Sequence, residues 1–380
     1  MTPPTSLASG APAIPATAPR AARTVLKLLR RLQYGTLELH MPGGGRAYFG
    51  SGAAPLAAIR IDDWSVFTRV LKSGDIGFAE SHLDGHWHTP DIAALMRVAI
   101  GNRESLETLV YGRWWGNWLH RLRHLFNHNS RAGSRKNISA HYDLGNEFYK
   151  LWLDETMSYS GAWFEGDHSR STRSAQLAKM RRALTECQVE PGAKLLELGC
   201  GWGGLAEIAA RDFELNVTGV TLSRKQLAFA QERLRRAGLQ FRVRLSLEDY
   251  RDADERPFDA VCSIEMFEAV GREYWEGFFQ AVHRRLKPGG RACIQTITIR
   301  DDLFERYVRG TDFIQQYVFP GGLLPSPSAF RKAARKAGFE IVTGSSPHVW
   351  PWVLNLAKQD GPWADVRVRR ALNYCLDREG

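Results

Sequence analysis

The chain has 380 residues, 44% of them hydrophobic and 24% charged, an ordinary globular balance that excludes collagen-like structure and wholesale disorder. Fifty-one Lys and Arg against 41 Asp and Glu give a formal net charge of +10, so anionic partners have to be weighed. No stretch approaches the roughly 18 uninterrupted apolar residues of a membrane-spanning helix. Cys187, Cys200, Cys262, Cys293 and Cys375 contain no CxxC pair, which argues against a disulfide framework or a zinc site and for a reducing compartment.

In chain order, residues 1–22 read as a disordered leader. Residues 1–19 carry no side-chain charge and lack the basic and apolar regions of a signal peptide. A basic amphipathic helix is predicted over 20–33. Apolar runs at Thr36–Met41, Arg46–Gly50 and Ala57–Ile61, separated by glycine-rich turns, predict a small antiparallel sheet. Asp63 is a helix cap ahead of Val66, Phe67, Val70 and Leu71, and Gly74, Gly77 and Gly85 predict a loop after that helix. A further helix runs from Asp91 to Ile100. These elements make one α+β unit over 23–112.

Residues 113–136 carry Arg113, Arg121, Arg123, Arg131, Arg135 and Lys136 and no acid, with Trp115, Trp118, Leu119, Leu122 and Phe126 at helical steps. Two readings stand: a helix lying on an anionic lipid surface, or one packing its stripe on its own domain. A nucleic-acid role is not predicted, since no zinc-finger or RNP signature appears.

From Lys194 the pattern alternates strand and helix: strands at Lys194–Leu198, Asn216–Thr221, Ala260–Ile264 and Ala292–Ile297, and helices at Gly204–Arg211 and Ser223–Ala237. Repeated βα units predict a doubly wound parallel sheet. The run Glu197-Leu198-Gly199-Cys200-Gly201-Trp202-Gly203-Gly204 joins the first strand to the first helix. Its glycines permit a tight turn and close backbone approach to a ligand, and the helix start behind it presents free N–H groups. The acid before the first glycine favours S-adenosylmethionine over NAD.

Seven motifs in order then carry a resemblance: His141–Tyr149 (HYDLGNEFY), Met157–Ser160, Leu198–Gly204, Gly219–Ser223, Met266–Gly271, Leu286–Gly290 and Tyr317–Gly322. Together with Gly77–Ser81 and Asp84–Trp87, they are similar to the cyclopropane fatty-acid synthase family, including its mycolic-acid relatives, over about residues 30–340. The resemblance implies a Rossmann-like class I methyltransferase domain over 137–345. Ahead of it stand the 113–136 linker and a lipid-binding-like N-terminal unit; a divergent tail, 346–380, follows. It further implies methyl transfer from S-adenosylmethionine to the double bond of a phospholipid acyl chain, with ring closure and bicarbonate as the base. The expected location is cytoplasmic, peripheral to the inner membrane surface, with a homodimer as a candidate assembly.

Residue by residue, the resemblance gives Tyr159 and Ser160 to the methionine portion of the donor and Glu197 to Leu205 to the glycine loop. Thr221, Leu222, Ser223, Arg224, Lys225 and Gln226 go to the ribose side, and Leu247 and Glu248 to the adenine. Glu268 is implied to hold the bicarbonate, with Gly161, Gln295 and Ile297 beside it. Gly161 stands where many members have Cys, and Gln295 where they have His, so the second contact loses a titratable group. Cys375 weakly matches a cysteine often assigned to the active site; as a plain buried small residue it has a second reading. A carbocation calls for a dry aromatic pocket, and Trp163, Phe164, Phe267, Tyr274, Tyr317 and Phe319 are candidates for its lining. Two alternatives stay open: methylation of the acyl chain without ring closure, and a catalytically inactive lipid-binding relative.

Overall fold

Residues 15, 17–106, 133, 145–253 and 257–341 are described by the computed structural model. Most of the leader, the 113–136 helix, the His141–Leu144 half of the first motif and the tail with Cys375 lie outside the described residues.

Helix α1 (Arg20–Leu29) buries Ala22, Val25 and Leu26 at helical steps and leaves Arg20, Arg23 and Lys27 exposed. Strands β1 (Thr36–His40), β2 (Arg46–Gly50) and β3 (Leu56–Ile61) alternate buried and half-exposed positions, the period-2 pattern of a one-sided sheet. The sheet is mixed rather than antiparallel. β1 pairs antiparallel with β2 but parallel with β3, and β4 (Trp87–His88) closes the far edge in the order β2-β1-β3-β4. The apolar runs specify strands but carry no direction, so the parallel pairing was not legible in them.

Helix α2 (Ser65–Leu83) starts where the Asp63 carboxylate accepts from the Ser65 N–H at 2.7 Å. It continues through the predicted loop. Gly74, at φ +60° and ψ −130°, bends it, and Gly77 lets the two halves cross: a Cβ there would stand 2.2 Å from the Arg69 carbonyl oxygen. The glycines mark a kink and a close approach, not a loop. Helix α3 (Ile92–Gly101) is capped by Asp91, which accepts from Ala94 N–H at 2.9 Å.

Short α4 (Asn146–Lys150) and long α5 (Thr172–Cys187) lead into the second sheet. Its elements are β5 (Lys194–Leu198), α6 (Gly204–Asp212), β6 (Asn216–Thr221), α7 (Arg224–Arg236), β7 (Val243–Leu247), β8 (Phe258–Ile264), α8 (Trp275–Arg285) and β9 (Leu286–Gln295). All pairings are parallel, in the order β7-β6-β5-β8-β9, so the doubly wound expectation holds. β9 begins at Leu286, ahead of its apolar run, and ends at Gln295, which leaves Ile297 just past the sheet. Helices α9 (Asp301–Arg309) and α10 (Pro327–Lys336) close the described part. The strands with buried faces on both sides read as continuous apolar runs, as parallel strands do. The order reverses direction at β5, with β6 on one side and β8 on the other, and crevices at such a point take ligands at the carboxyl ends of the strands.

Candidate active site

A cavity opens at that switch point. Its walls come from the ends of β5, β6, β7 and β8, from Met157–Ser160, from α5 and from Phe319. Gly199, Gly201 and Gly203 hold φ values of +79°, +50° and +80°, in the left-handed region that glycine enters freely. A Cβ on Gly201 would meet nothing within 4 Å, whereas one on Gly203 would press on Ala230 Cβ at 2.9 Å. Gly201 thus leaves open space on the cavity side, and Gly203 packs α6 against α7. Trp202 is buried, donates to Asn146 Oδ1 at 2.8 Å and lies 5.0 Å from the Tyr149 ring. The Asn146–Tyr149 half of the first motif therefore braces the glycine loop from behind.

Glu197 ends the buried face of β5 and is 4% exposed. Its Oε2 has no hydrogen-bond partner, and burial pushes its pKa up to about 8. A buried, orphaned carboxylate oxygen at the cavity wall fits a ligand cation such as an amino-acid ammonium. Across the cavity, Thr221 Oγ1 donates to Gln226 Oε1 at 3.0 Å, and Ser223 Oγ caps α7 through the Gln226 N–H at 3.2 Å. The Glu248 N–H donates to the Thr221 carbonyl at 3.0 Å, which pins its backbone just past β7, and its Oε2 accepts from Ser246 Oγ at 3.2 Å.

Most of the expected donor-binding residues line this cavity: Tyr159, Ser160, Glu197, Gly199, Cys200, Gly201, Trp202, Gly204, Leu205, Thr221, Leu222, Gln226 and Glu248. Others do not. Leu198 packs in the core, Gly203 and Ser223 hold helix starts, Arg224 and Lys225 are exposed, and Leu247 is 38% exposed outside the lining. Of the six aromatics, only Phe319 reaches the wall. Phe267 is wholly buried among Trp275, Phe278, Phe279 and Phe330. Trp163 lies under the Arg182 guanidinium, Phe164 packs near His168, Tyr274 sits by Arg251, and the Tyr317 hydroxyl donates to Glu80 Oε1. These aromatics pack the protein rather than line this cavity.

Beside the donor cavity the remaining candidates converge. Glu268 is buried and its Oε1 accepts from Thr296 Oγ1 at 2.8 Å and from the Ile297 N–H; its Oε2 has no partner, and burial raises its pKa. Gly161 N–H and Gln295 Nε2 both donate to a residue the sequence reading passed over, Glu265, at 2.9 and 2.8 Å. Lys179 was passed over too. Its Nζ donates to Ser160 Oγ at 2.5 Å and to Gln176 Oε1. Burial lowers its pKa to about 8 against the opposing pull of Glu265 and Asp154. The available signal for Glu265 was positional: it follows the apolar run Phe258–Ile264, at the carboxyl end of a parallel strand. Gln176 and Lys179 stand one helical turn apart.

A family model described as mycolic acid cyclopropane synthetase matches residues 129–350. The chain belongs to that family. It is 36% identical over 293 residues to the tuberculostearic acid methyltransferase UfaA1 of Mycobacterium tuberculosis, covering 74% of this chain and 67% of that one. Identity is also 36%, over 278 residues, to the cyclopropane-fatty-acyl-phospholipid synthase of Escherichia coli, covering 73% and 69%. Among solved structures, the mycolic acid cyclopropane synthase CmaA1 complexed with SAH and CTAB superposes with a TM-score of 0.51 at 34% identity, over 55% of this chain and 76% of that one. Family, fold and cavity together make this chain an S-adenosylmethionine-dependent methyltransferase of the cyclopropane synthase type.

Proposed function

We propose that this chain transfers a methyl carbon from S-adenosylmethionine to the double bond of an unsaturated acyl chain in a membrane phospholipid and closes it into a cyclopropane ring. The observation that carries the reading is the buried, orphaned Glu197 Oε2 facing a glycine-turned cavity at the switch point of a family member. Glu197 would take the ammonium group of the donor's methionine portion, the Gly199–Gly204 turn would hold its backbone-facing edge, and Thr221, Gln226 and Glu248 would reach the nucleoside. When bound, the donor supplies an electrophilic methyl group. The chain's own residues then have to exclude water, orient the alkene and accept one proton. Gly161, Gln295, Ile297 and Glu268 frame the proton-accepting side.

Bicarbonate, the base implied by the resemblance, does not fit the donors as this chain arranges them. The N–H groups of Gly161, Gln295 and Ile297 are bonded to the carboxylates of Glu265 and Glu268. Attachment to the inner membrane surface, through the basic 113–136 segment and the acid-free helix α1, and pairing of two copies belong to the same proposal. No described helix is long and apolar enough to cross a membrane.

A second reading, methylation without ring closure, is favoured by the likeness to a methyltransferase of tuberculostearic acid at the same identity as to the synthase. The inactive-relative reading has less support, because the cavity keeps its cofactor-side groups. Mass spectrometry of phospholipid acyl chains from cells with and without the gene separates the readings. A gain of one CH2 unit with loss of the double bond on ozonolysis supports the ring; the same gain with the double bond retained supports methylation; no gain counts against both.

A further inference from the structure

The base of the reaction can be read from the same corner of the site, and this step rests on the synthase reading above. Glu265 follows Ile264, the last residue of β8, and holds φ at +48°. A residue with a side chain enters that region only against steric resistance, and such strain concentrates at working sites. The backbone is pinned there, for the Glu265 N–H donates to the Gln295 carbonyl at 2.8 Å. The turn carries the carboxylate off the sheet and into the donor cavity, where it lines the wall with Tyr159, Ser160 and Lys179. Its Oε1 then receives the Gly161 N–H at 2.9 Å and the Gln295 amide at 2.8 Å.

Two donors that would hold a free anion therefore hold a carboxylate of the chain itself. The third, Ile297 N–H, is taken by Glu268. An added bicarbonate would have to displace one carboxylate and lie against the negative charge of the other. Gln295 makes that worse, because a neutral amide brings no positive charge to offset a second anion. Glu268 is buried and bonded behind the strand ends and does not line the cavity; Glu265 does.

We propose that the Glu265 carboxylate, rather than an exogenous bicarbonate, accepts the proton when the ring closes. The alkene π pair forms the bond to the donor's methyl carbon, and the carbon–sulfur pair leaves with sulfur. This produces a cationic acyl carbon. The C–H pair of the newly attached methyl group closes onto that carbon, and the proton passes to a Glu265 oxygen, which returns it to solvent when the product leaves. Gly161 and Gln295 are positioning residues: both hold the same oxygen, Oε1, of the carboxylate.

The test uses the full chain on vesicles of dioleoyl phosphatidylglycerol in carbon-dioxide-free buffer, with product followed by mass spectrometry and donor affinity by calorimetry. Wild-type turnover is expected to change by less than twofold when bicarbonate is added. Glu265→Gln keeps the size and the acceptor oxygen but cannot take the proton, and should lose about 100- to 10,000-fold in turnover with donor affinity within a few-fold of wild type. Glu265→Ala opens the site and should recover part of its rate with added formate or bicarbonate, which Glu265→Gln should not. Wild-type turnover that falls tenfold without bicarbonate and returns with it would overturn the proposal, as would wild-type rates in Glu265→Gln. Loss of donor binding in both variants would assign Glu265 a structural role instead. A wild type that binds donor and forms no acyl product would overturn the synthase reading, and this role with it, so the two failures are told apart by the wild-type arm alone.

Discussion

Glu197 shows how a single residue reports on the cofactor. Burial holds its carboxyl protonated up to about pH 8, against an ordinary value of 4.5. As pH rises through that window the unfolded chain sheds the proton and the ligand-free folded chain keeps it. Folding stability is therefore lost with rising pH, by up to about 1.4 kcal/mol per pH unit. Urea titrations between pH 5 and 8 should show this slope in the wild type and a flatter one in Glu197→Gln. The donor's ammonium group should reverse the preference by favouring the ionised carboxylate. Calorimetric affinity for S-adenosylmethionine should then rise toward pH 8 in the wild type, and fall by about 10- to 100-fold in Glu197→Gln, the size of one lost charge-assisted hydrogen bond. Equal affinity at every pH in both proteins would separate Glu197 from the donor.

At the scale of elements, the N-terminal unit reaches the site through the second half of α2. Asp75 Oδ2 accepts from the Phe313 N–H at 3.0 Å, and Glu80 Oε1 accepts from the Tyr317 hydroxyl at 2.5 Å. Burial, with Asp312 adding to it, raises the Asp75 pKa to about 6. Both partners sit on the segment that ends in Phe319, the aromatic at the cavity wall. The kink at Gly74 is what turns this half of α2 toward that segment. Asp75→Ala leaves the Phe313 N–H without its acceptor, a loss of about 1–3 kcal/mol where such a group is shielded from water. Urea unfolding should register that loss. Turnover on lipid vesicles should fall while affinity for the donor, held by the glycine turn and Glu197, changes little. An equal drop in both would mean that α2 supports the whole domain rather than this segment.

For the whole molecule, the net charge of +10 is concentrated where acids are missing. α1 has no acidic residue and exposes Arg20, Arg23 and Lys27, while Arg331, Lys332, Arg335 and Lys336 are exposed on the equally acid-free α10. The 113–136 segment adds six more cations. Each Lys or Arg near an anionic leaflet contributes about 1 kcal/mol, screened as salt is added. Co-sedimentation with phosphatidylglycerol vesicles should weaken as salt rises, and weaken further when Trp115 and Trp118 become Ala. Binding indifferent to both changes would place the 113–136 stripe in the protein core.

Local signals were enough for much of this protein. The apolar runs placed β5 and β6 to the residue, because a buried parallel strand is continuous in hydrophobicity and bounded by breakers. The helix from about Asp91 and the glycine turn after β5 were equally legible, since both depend on neighbours within a few positions. Pairing direction in the first sheet was not, because an alternating pattern is the same read from either end. The kink glycines of α2 looked like a loop because φ and close approach depend on what the chain packs against. Nor could an aromatic's place be read from its type: Phe267 is enclosed by other aromatic rings, whereas Phe319 reaches the cavity wall. The site was divided in the same way. The resemblance named Gly161, Gln295 and Glu268, but the carboxylate that joins the first two to the cavity is Glu265, 104 residues from Gly161 and 30 from Gln295. No periodicity links positions so far apart; the parallel pairing of β8 and β9 sets Gln295 beside Glu265, and the loop ahead of α5 brings Gly161 to the same carboxylate.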